Sequence, residues 1–98
     1  MGKLENKFQA ELKSELKLLF PNCIITKNDP EMLQGIPDLT IIYKGKYAFL
    51  ECKKEKNASR RPNQDYYIGY GQKFAFGEFI EPSNKKEVLE RLYNYFMN

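Results

Sequence analysis

The segment from Gly35 to Lys53, GIPDLTIIYKGKYAFLECK, contains two runs of β-branched and aromatic residues. Only Lys44-Gly45-Lys46 separates the two runs. A short interval that contains glycine, placed between two such runs, is typical of a tight β-hairpin. We therefore predict paired strands over Asp38–Tyr43 and Tyr47–Lys53, and this hairpin is the strongest local prediction that the sequence supports.

The turn of this hairpin decides which charged residues face one another. If Lys44 and Gly45 form the turn, Asp38 lies opposite Glu51, and Lys53 projects from the same face because side chains alternate along a strand. If the turn is shifted by one residue, Asp38 lies opposite Lys53 and the three charges still share a face. Only a one-residue bulge or a three-residue loop would separate them.

These charges stand at one end of a hairpin whose two faces both carry apolar side chains, so both faces need cover. Two like charges placed directly opposite one another destabilise a strand pair. A divalent cation between Asp38 and Glu51 would turn the repulsion into coordination, and Mg²⁺ prefers such oxygen ligands. In the alternative interpretation, Asp38 is a turn residue after Pro37, and Glu51 and Lys53 are ordinary solvent-facing strand charges.

The other elements are predicted from apolar spacing and from turn-forming residues. They are a helix over Leu4–Phe20, a strand over Cys23–Thr26, a turn-rich segment Asn28–Pro37, a short helix from Pro62 that Gly69 and Gly71 end, a strand over Lys73–Ile80 and a final helix after Pro82-Ser83-Asn84. Asn84 and Glu87 are predicted to form a capping box. The order αβββαβα predicts one α/β domain over residues 1–98.

Composition excludes several classes of protein. The chain of 98 residues is 42% hydrophobic, which is enough for a packed core. It contains no histidine and no CxxC pair, so we expect neither a zinc site nor Ser-His or Cys-His catalysis. No stretch approaches the roughly 20 apolar residues of a membrane span. With Cys23 and Cys52 as reduced thiols, we expect a cytoplasmic protein.

Cations are concentrated around the second strand of the hairpin and the loop that follows it. Within residues 44–61 they are Lys44, Lys46, Lys53, Lys54, Lys56, Arg60 and Arg61, against the two acids Glu51 and Glu55. Such a local excess suits a phosphate-rich partner. The alternative is a solvated loop that only keeps the protein soluble.

The segment Gly35-Ile36-Pro37-Asp38-Leu39, followed by Glu51-Cys52-Lys53 and then by Gln64 after a basic loop, resembles the PD-(D/E)XK nuclease superfamily. Within that superfamily, the chain is most similar to the small stand-alone VRR-NUC domains of phages and bacteria. The resemblance covers nearly the whole chain. It implies a restriction-endonuclease-like core, with a central mixed sheet flanked by helices, and the hydrolysis of nucleic-acid phosphodiesters with Mg²⁺ or Mn²⁺.

The resemblance also implies roles for individual residues. Asp38 and Glu51 would bind the metal ion, with the backbone carbonyl of Cys52 as a further ligand. Lys53 would orient or activate the attacking water and stabilise charge on the phosphate. Gln64 matches a position that lies near the site in this family and would support water or DNA.

Members of this superfamily often add an acid from the first helix. Glu5 is the best match here as a further metal ligand, and Glu11 and Glu15 are rivals. The alternative for Glu5 is an acid that only benefits from the positive end of the helix dipole.

The remaining expectations concern partners. Four cations, Lys54, Lys56, Arg60 and Arg61, would contact DNA phosphates and make binding salt-dependent. Tyr66, Tyr67 and Tyr70 would either stack on exposed bases or pack in the core or an interface.

By analogy with the small members, we expect a homodimer that cuts branched DNA such as Holliday junctions or flaps, in a bacterial or phage-infected cell. The competing interpretations are a non-catalytic nucleic-acid-binding module on the same fold and a protein-interaction or inhibitor domain.

Overall fold

The computed structural model describes residues 3–98, with side chains from residue 6 onward. The elements are α1 (Lys3–Leu19), β1 (Ile24–Lys27), β2 (Leu39–Tyr43), β3 (Lys46–Cys52), α2 (Gln64–Phe74), β4 (Phe76–Ile80) and α3 (Lys85–Met97). The predicted order αβββαβα is therefore correct. None of the helices in this described part is long and apolar enough to cross a membrane.

The hairpin of β2 and β3 has the first of the two predicted registers. Lys44 and Gly45 form the turn with φ angles of 52° and 78°. Two consecutive left-handed residues belong to a type I′ turn, whose twist matches that of the paired strands. Tyr43 pairs with Lys46, and the pairing continues to Leu39 and Leu50 at the far end. The next positions along the two strands are Asp38 and Glu51, so the two acids face each other.

The sheet contains four strands in the order β1-β2-β3-β4. β1 pairs antiparallel with β2, and β2 pairs antiparallel with β3. β4 pairs parallel with β3, because α2 returns the chain to the end at which β3 began. The sheet is therefore mixed and flanked by helices, as predicted.

One face of the sheet forms the hydrophobic core together with α1 and α3. The buried members of this core are Phe8, Leu12, Leu16, Phe20, Leu39, Ile41, Ala48, Leu50, Cys52, Ile80, Val88, Leu92 and Phe96. The prediction that helices cover both hairpin faces is correct for this face and only partly correct for the other. On the other face α2 packs over β3 and β4, Tyr47 and Phe49 are half-buried, and Ile42 is 40% exposed.

The prediction that Gly69 and Gly71 end the second helix is wrong, because α2 continues to Phe74. A Cβ atom on Gly71 would lie 2.7 Å from the carbonyl oxygen of Phe76 and 3.0 Å from Cα of Gly77. The missing side chain at Gly71 therefore allows α2 to pack directly against the backbone of β4. Because α2 packs against β4, Gly69 and Gly71 remain within the helix. The strand β4 consequently begins at Phe76, whereas the sequence predicted Lys73.

The predicted capping box between Asn84 and Glu87 is also absent, since the side chain of Asn84 makes no cap hydrogen bond to α3. It accepts instead from the backbone N–H of Glu81 (2.8 Å) and donates to the carbonyl of Phe79 (3.0 Å). The buried carboxylate of Glu81 accepts from the backbone N–H of Asn84 (2.7 Å) and from the hydroxyl of Ser83. This network connects the end of β4 to the start of α3.

We expect alanine at Gly71 and at Gly69 to have opposite effects on stability. A Cβ atom on Gly69 meets nothing within 4 Å, so Gly69→Ala should raise the free energy of unfolding by roughly 0.5–1 kcal/mol through helix propensity. Gly71→Ala should lower it by about 1–3 kcal/mol, because the new methyl group collides with β4. Urea unfolding of both variants measures the difference, and equal stabilisation by both would contradict this account of the α2–β4 contact.

Candidate active site

The two opposed acids lie where the pairing of β2 and β3 ends. The backbone N–H of Asp38 donates to Oε1 of Glu51 (3.0 Å), and the backbone N–H of Cys52 donates to Oδ2 of Asp38 (2.9 Å). Each carboxylate thus accepts a charge-assisted hydrogen bond from the backbone of the opposite strand. These bonds continue the ladder through side chains, and they offset the repulsion that two facing acids would otherwise cause.

Lys53 follows β3 and extends its parallel pairing, since its backbone N–H donates to the carbonyl of Ile80 (2.9 Å). Its ammonium group donates to Oε1 of Gln64 (2.9 Å) and to the carbonyl of Ser59 (3.0 Å). The same Nζ lies 3.8 Å from Oε2 of Glu51. The lysine is buried, and these oxygen atoms stabilise its charge in place of water.

Gln64 connects the lysine to the acids. Its Nε2 donates to Oε2 of Glu51 (2.8 Å), while its Oε1 accepts from Lys53 and also from the backbone N–H of Arg61 (2.9 Å). The side chain is buried at the first residue of α2. Because a buried amide with both ends bonded has one orientation, Gln64 holds the lysine and the glutamate at a set separation.

Gly35 allows the start of α2 to approach the hairpin closely. Its φ angle of +85° is in the left-handed region, and a Cβ atom there would lie 2.5 Å from Cβ of Asn63 and 2.8 Å from its carbonyl carbon. Asn63, the residue directly before Gln64, itself has a φ angle of 73°. The glycine that opens the Gly-Ile-Pro-Asp motif therefore packs against the residue that places Gln64 in the site.

Asn28 holds the segment that carries Asp38. Its backbone N–H donates to the carbonyl of Asp38 (2.8 Å), and its Nδ2 donates to the carbonyl of Pro37 and to Oγ1 of Thr40 (both 2.8 Å). From the sequence, Asn28 was expected only in the turn-rich segment before the Gly-Ile-Pro-Asp motif, where it could approach the site, and no signal in the sequence gave it a specific role.

Asp38, Glu51 and Lys53 line one cavity of about 440 Å³. Among the predicted DNA-binding cations, Lys54 and Arg61 line this cavity too, as do Lys27 and Asn28. Gln64 lies behind the cavity wall, where it bonds Lys53 and Glu51.

The other two predicted cations, Lys56 and Arg60, line a neighbouring cavity of about 560 Å³ that shares Lys53. Arg60 has partners within the protein: its Nη1 lies 2.9 Å from Oδ1 of Asp65, and its guanidinium carbon lies 3.9 Å from the ring centroid of Phe79. Arg60 therefore braces the basic loop against α2 and β4.

None of the acidic side chains that the structure describes on α1 lines the cavity. The side chain of Glu5 lies outside the described residues. Glu15 forms an ion pair with Lys85 of α3 (2.9 Å), and Glu11 lines a separate cavity beside Lys85. Gln9, which the sequence did not single out, is buried on α1, and its Nε2 has no hydrogen-bond partner in the described part of the chain. An isolated glutamine within the apolar stripe gives no signal in the sequence.

The donor atoms suit a hard metal ion. Asp38 and Glu51 both line the cavity with carboxylates, and Cys52, whose backbone carbonyl is the further ligand that the resemblance implies, lines it as well. Among the described residues, no three His, Cys, Asp or Glu side chains form a metal-binding cluster. Mg²⁺ is commonly held by one or two carboxylates, with water and substrate phosphate oxygens completing its shell, so these residues fit it.

We expect Gly35→Ala to disturb the site and Gly45→Ala to leave it intact. Both glycines have positive φ angles, so each alanine adds strain of about 1–2 kcal/mol. Only at Gly35 does the added methyl group also collide with Asn63, since nothing lies within 4 Å at Gly45. Unfolding in urea should therefore show a clearly larger loss for Gly35→Ala. Equal losses would mean that the contact with Asn63 is unimportant.

Comparison with solved structures identifies a similar protein, described as a "VRR_NUC domain". The two structures superpose with a TM-score of 0.71, and their sequences are 26% identical. The similarity covers 97% of this chain and 100% of the other. No protein-family model and no curated protein sequence matches the chain.

This comparison agrees with the sequence motifs of the hairpin. The mixed sheet and the order αβββαβα are those of the restriction-endonuclease-like fold. The resemblance indicated by Gly35-Ile36-Pro37-Asp38 and Glu51-Cys52-Lys53 is therefore confirmed: the chain has the fold of a VRR-NUC domain, within the PD-(D/E)XK superfamily, and this similarity supports a nuclease domain.

Proposed function

We propose that residues 1–98 form a single nuclease domain that hydrolyses DNA phosphodiesters in a metal-dependent, endonucleolytic reaction. One observation carries the proposal: two carboxylates, a lysine and a glutamine are joined in one hydrogen-bonded network at a cavity lined with cations. The similarity to a VRR-NUC domain supports the same reaction.

The cofactor that we propose is Mg²⁺ or Mn²⁺, held by Asp38, Glu51 and the backbone carbonyl of Cys52. Glu5 of α1 is proposed as an additional ligand on the basis of the family resemblance alone. When bound, such an ion polarises a phosphoryl oxygen and makes a water molecule more acidic. The two acids would orient that water and the phosphate at the end of the hairpin.

Lys53 is proposed as the residue that orients the attacking water and stabilises the charge that develops on the phosphate. Its ammonium group donates to Gln64 and to the carbonyl of Ser59, and the residue lines the cavity. Because these bonds exist before substrate binds, little reorganisation is required during the reaction. Gln64 acts through Lys53 and Glu51, and we propose it as a positioning residue.

The substrate would be held through its phosphates. Lys27, Lys54 and Arg61 line the cavity at which the acids lie, and Lys56 extends the basic surface. Arg60 would contribute mainly by holding the loop, since Asp65 and Phe79 already contact it. Contacts to phosphates carry no sequence information. We therefore propose selection by DNA structure, with branched DNA such as Holliday junctions or flaps as substrate and a homodimer providing two paired sites.

Cleavage assays test this proposal. Labelled four-way junction, flap, linear duplex and single-stranded DNA should be incubated with Mg²⁺, Mn²⁺ or EDTA. We expect cutting with the metal ions and none in EDTA, and we expect Glu51→Gln and Asp38→Ala to abolish it while DNA binding remains. DNA binding without cutting under any metal would indicate a non-catalytic binding module, whereas neither binding nor cutting would indicate a protein-interaction domain.

Replacing Lys53 by Met should lower the rate of cleavage about 10²–10³-fold, the range expected when one preorganised charge-stabilising group is removed. Lys56→Met is the matched control, because it removes the same charge from an exposed position in the neighbouring cavity. Single-turnover rates measured at saturating Mg²⁺, with the protein in saturating excess over the DNA, separate this effect from weaker DNA binding. Similar rates for the two variants would assign the activation of water to another group.

A further inference from the structure

The ring of Phe79 on β4 lies close to Lys53 and to Arg60 in the loop before α2. The guanidinium carbon of Arg60 lies 3.9 Å from the ring centroid, and Nζ of Lys53 lies 6.0 Å from it. A cation over the face of an aromatic ring is attracted to it within about 6 Å, so the contact with Arg60 is the stronger of the two. Phe79 is also in register with Glu51 on β3, and registered residues of neighbouring strands project from the same face of a sheet. Phe79 therefore borders the candidate active site.

The loop before α2 contacts the Lys53–Gln64 pair through the two neighbours of Arg60. The carbonyl of Ser59 accepts a hydrogen bond from the ammonium group of Lys53 (3.0 Å). The backbone N–H of Arg61 donates to Oε1 of Gln64 (2.9 Å), the same oxygen atom that accepts from Lys53. Arg60, between these two residues, supplies the stacked guanidinium. A shift of residues 59–61 would therefore disturb both hydrogen bonds of the ammonium group.

This part of the loop depends on Arg60 for its position. Residues 54–61 are exposed apart from Ala58, so burial of the other side chains does little to hold the loop in place. Arg60 has two contacts, and the ion pair with Asp65 is weak because the two side chains are 53% and 70% exposed and water screens their charges. The ring of Phe79 is half-buried and shields one side of the guanidinium from water, which strengthens the attraction. Phe79 is therefore the stronger anchor of the two.

The backbone of Phe79 is itself held on two sides. It takes part in the parallel pairing of β3 and β4, and its carbonyl oxygen accepts from Nδ2 of Asn84 (3.0 Å). Asn84 is held in turn by Glu81, whose buried carboxylate accepts from the backbone N–H of Asn84 (2.7 Å). The ring that contacts Arg60 therefore projects from a strand, and a side chain on a strand keeps its position more precisely than one on a loop.

We propose that Phe79 is a positioning residue of the candidate active site. Its ring holds Arg60 and, through Arg60, the backbone of residues 59–61 that fixes the ammonium group of Lys53. The inference rests on the proposed nuclease function and deepens it, because it states how an exposed loop sets the position of the group proposed to orient the attacking water. Arg60 then acts on the reaction through Lys53, and not through a DNA phosphate.

The first test is cleavage by Phe79→Leu, which keeps an apolar side chain but has no ring for the guanidinium. Its single-turnover rate in Mg²⁺, with protein in saturating excess over the DNA, should fall roughly 10–10²-fold, as expected when a reacting group is slightly misplaced. DNA affinity, measured by fluorescence anisotropy in EDTA, should stay unchanged because no phosphate contact is removed. Phe76→Leu is the matched control: Phe76 is a half-buried ring of the same strand with Arg91 5.7 Å from its centroid, and its replacement should alter neither quantity.

Conservative variants separate positioning from a general loss of structure. Phe79→Tyr keeps the ring and should cleave at nearly the wild-type rate, since the cavity of about 560 Å³ that Phe79 lines offers room for the hydroxyl. Arg60→Lys keeps the charge but loses the flat guanidinium, so it should slow cleavage as Phe79→Leu does, and this exposed substitution carries the test if Phe79→Leu does not fold. The double variant should be no slower than the slower single variant, because the two groups act as a unit. Additive losses, or a normal rate in Arg60→Lys, would overturn the proposal.

NMR of the lysine ammonium groups, recorded without metal or DNA, tests the same contact independently of activity. An ammonium group held by hydrogen bonds exchanges its protons with water slowly enough to be observed, and Lys53→Met assigns its signal. We expect this signal in the wild type and in Phe76→Leu, and its loss in Phe79→Leu. Absence of the signal from the wild type, or its retention in Phe79→Leu, would overturn the positioning role. The expected loss in a protein that cuts no DNA with any metal would support that role and overturn only the nuclease.

Discussion

At the end of the hairpin, two acids are held opposite each other by the backbone of the strands that carry them. Asp38 donates its N–H to Glu51, and Cys52 donates its N–H to Asp38. Beyond the last backbone–backbone pair of the two strands, the hydrogen bonds are therefore made between backbone N–H groups and carboxylates. Both acids line the same cavity. Without these donors the facing charges would repel each other and destabilise the strand pair at the point where the site is built.

Other parts of the chain depend on this arrangement and reinforce it. Gln64 reaches Glu51 and Lys53 only because Gly35 lets the start of α2 lie against the loop before β2. Asn28, at the end of β1, bonds the backbone of Pro37 and Asp38 on the opposite side. The acids are thus supported by the hairpin, by a helix and by a neighbouring strand. Sites held from several elements keep their geometry better than sites on a single loop.

The fold was largely predictable where the deciding signals are local. The short interval around Gly45 indicated the hairpin, and the alternation along β2 and β3 placed the three charges on one face. The errors occurred where contacts override local preference. Gly69 and Gly71 indicated the end of a helix, yet packing against β4 keeps α2 helical. Asn84 fits a capping box, yet its side chain bonds Glu81 and Phe79 because the end of β4 lies within reach.

The sequence by itself determined the order of the elements and the hairpin around Lys44-Gly45-Lys46, and it limited the register to two turns that both leave Asp38, Glu51 and Lys53 on one face; the structure selected the turn at Lys44-Gly45, which places Asp38 opposite Glu51. A two-residue turn allows few strand registers, and side chains that alternate between the two faces of the sheet restrict them further. Both features depend only on residues that are close together in the sequence. Only the tertiary structure decided that Gln64 bonds Lys53 and Glu51, that Arg61 rather than Arg60 lines the cavity, and that Asn28 supports Asp38. Those contacts join segments separated along the chain, and their geometry depends on how closely helix and sheet can approach.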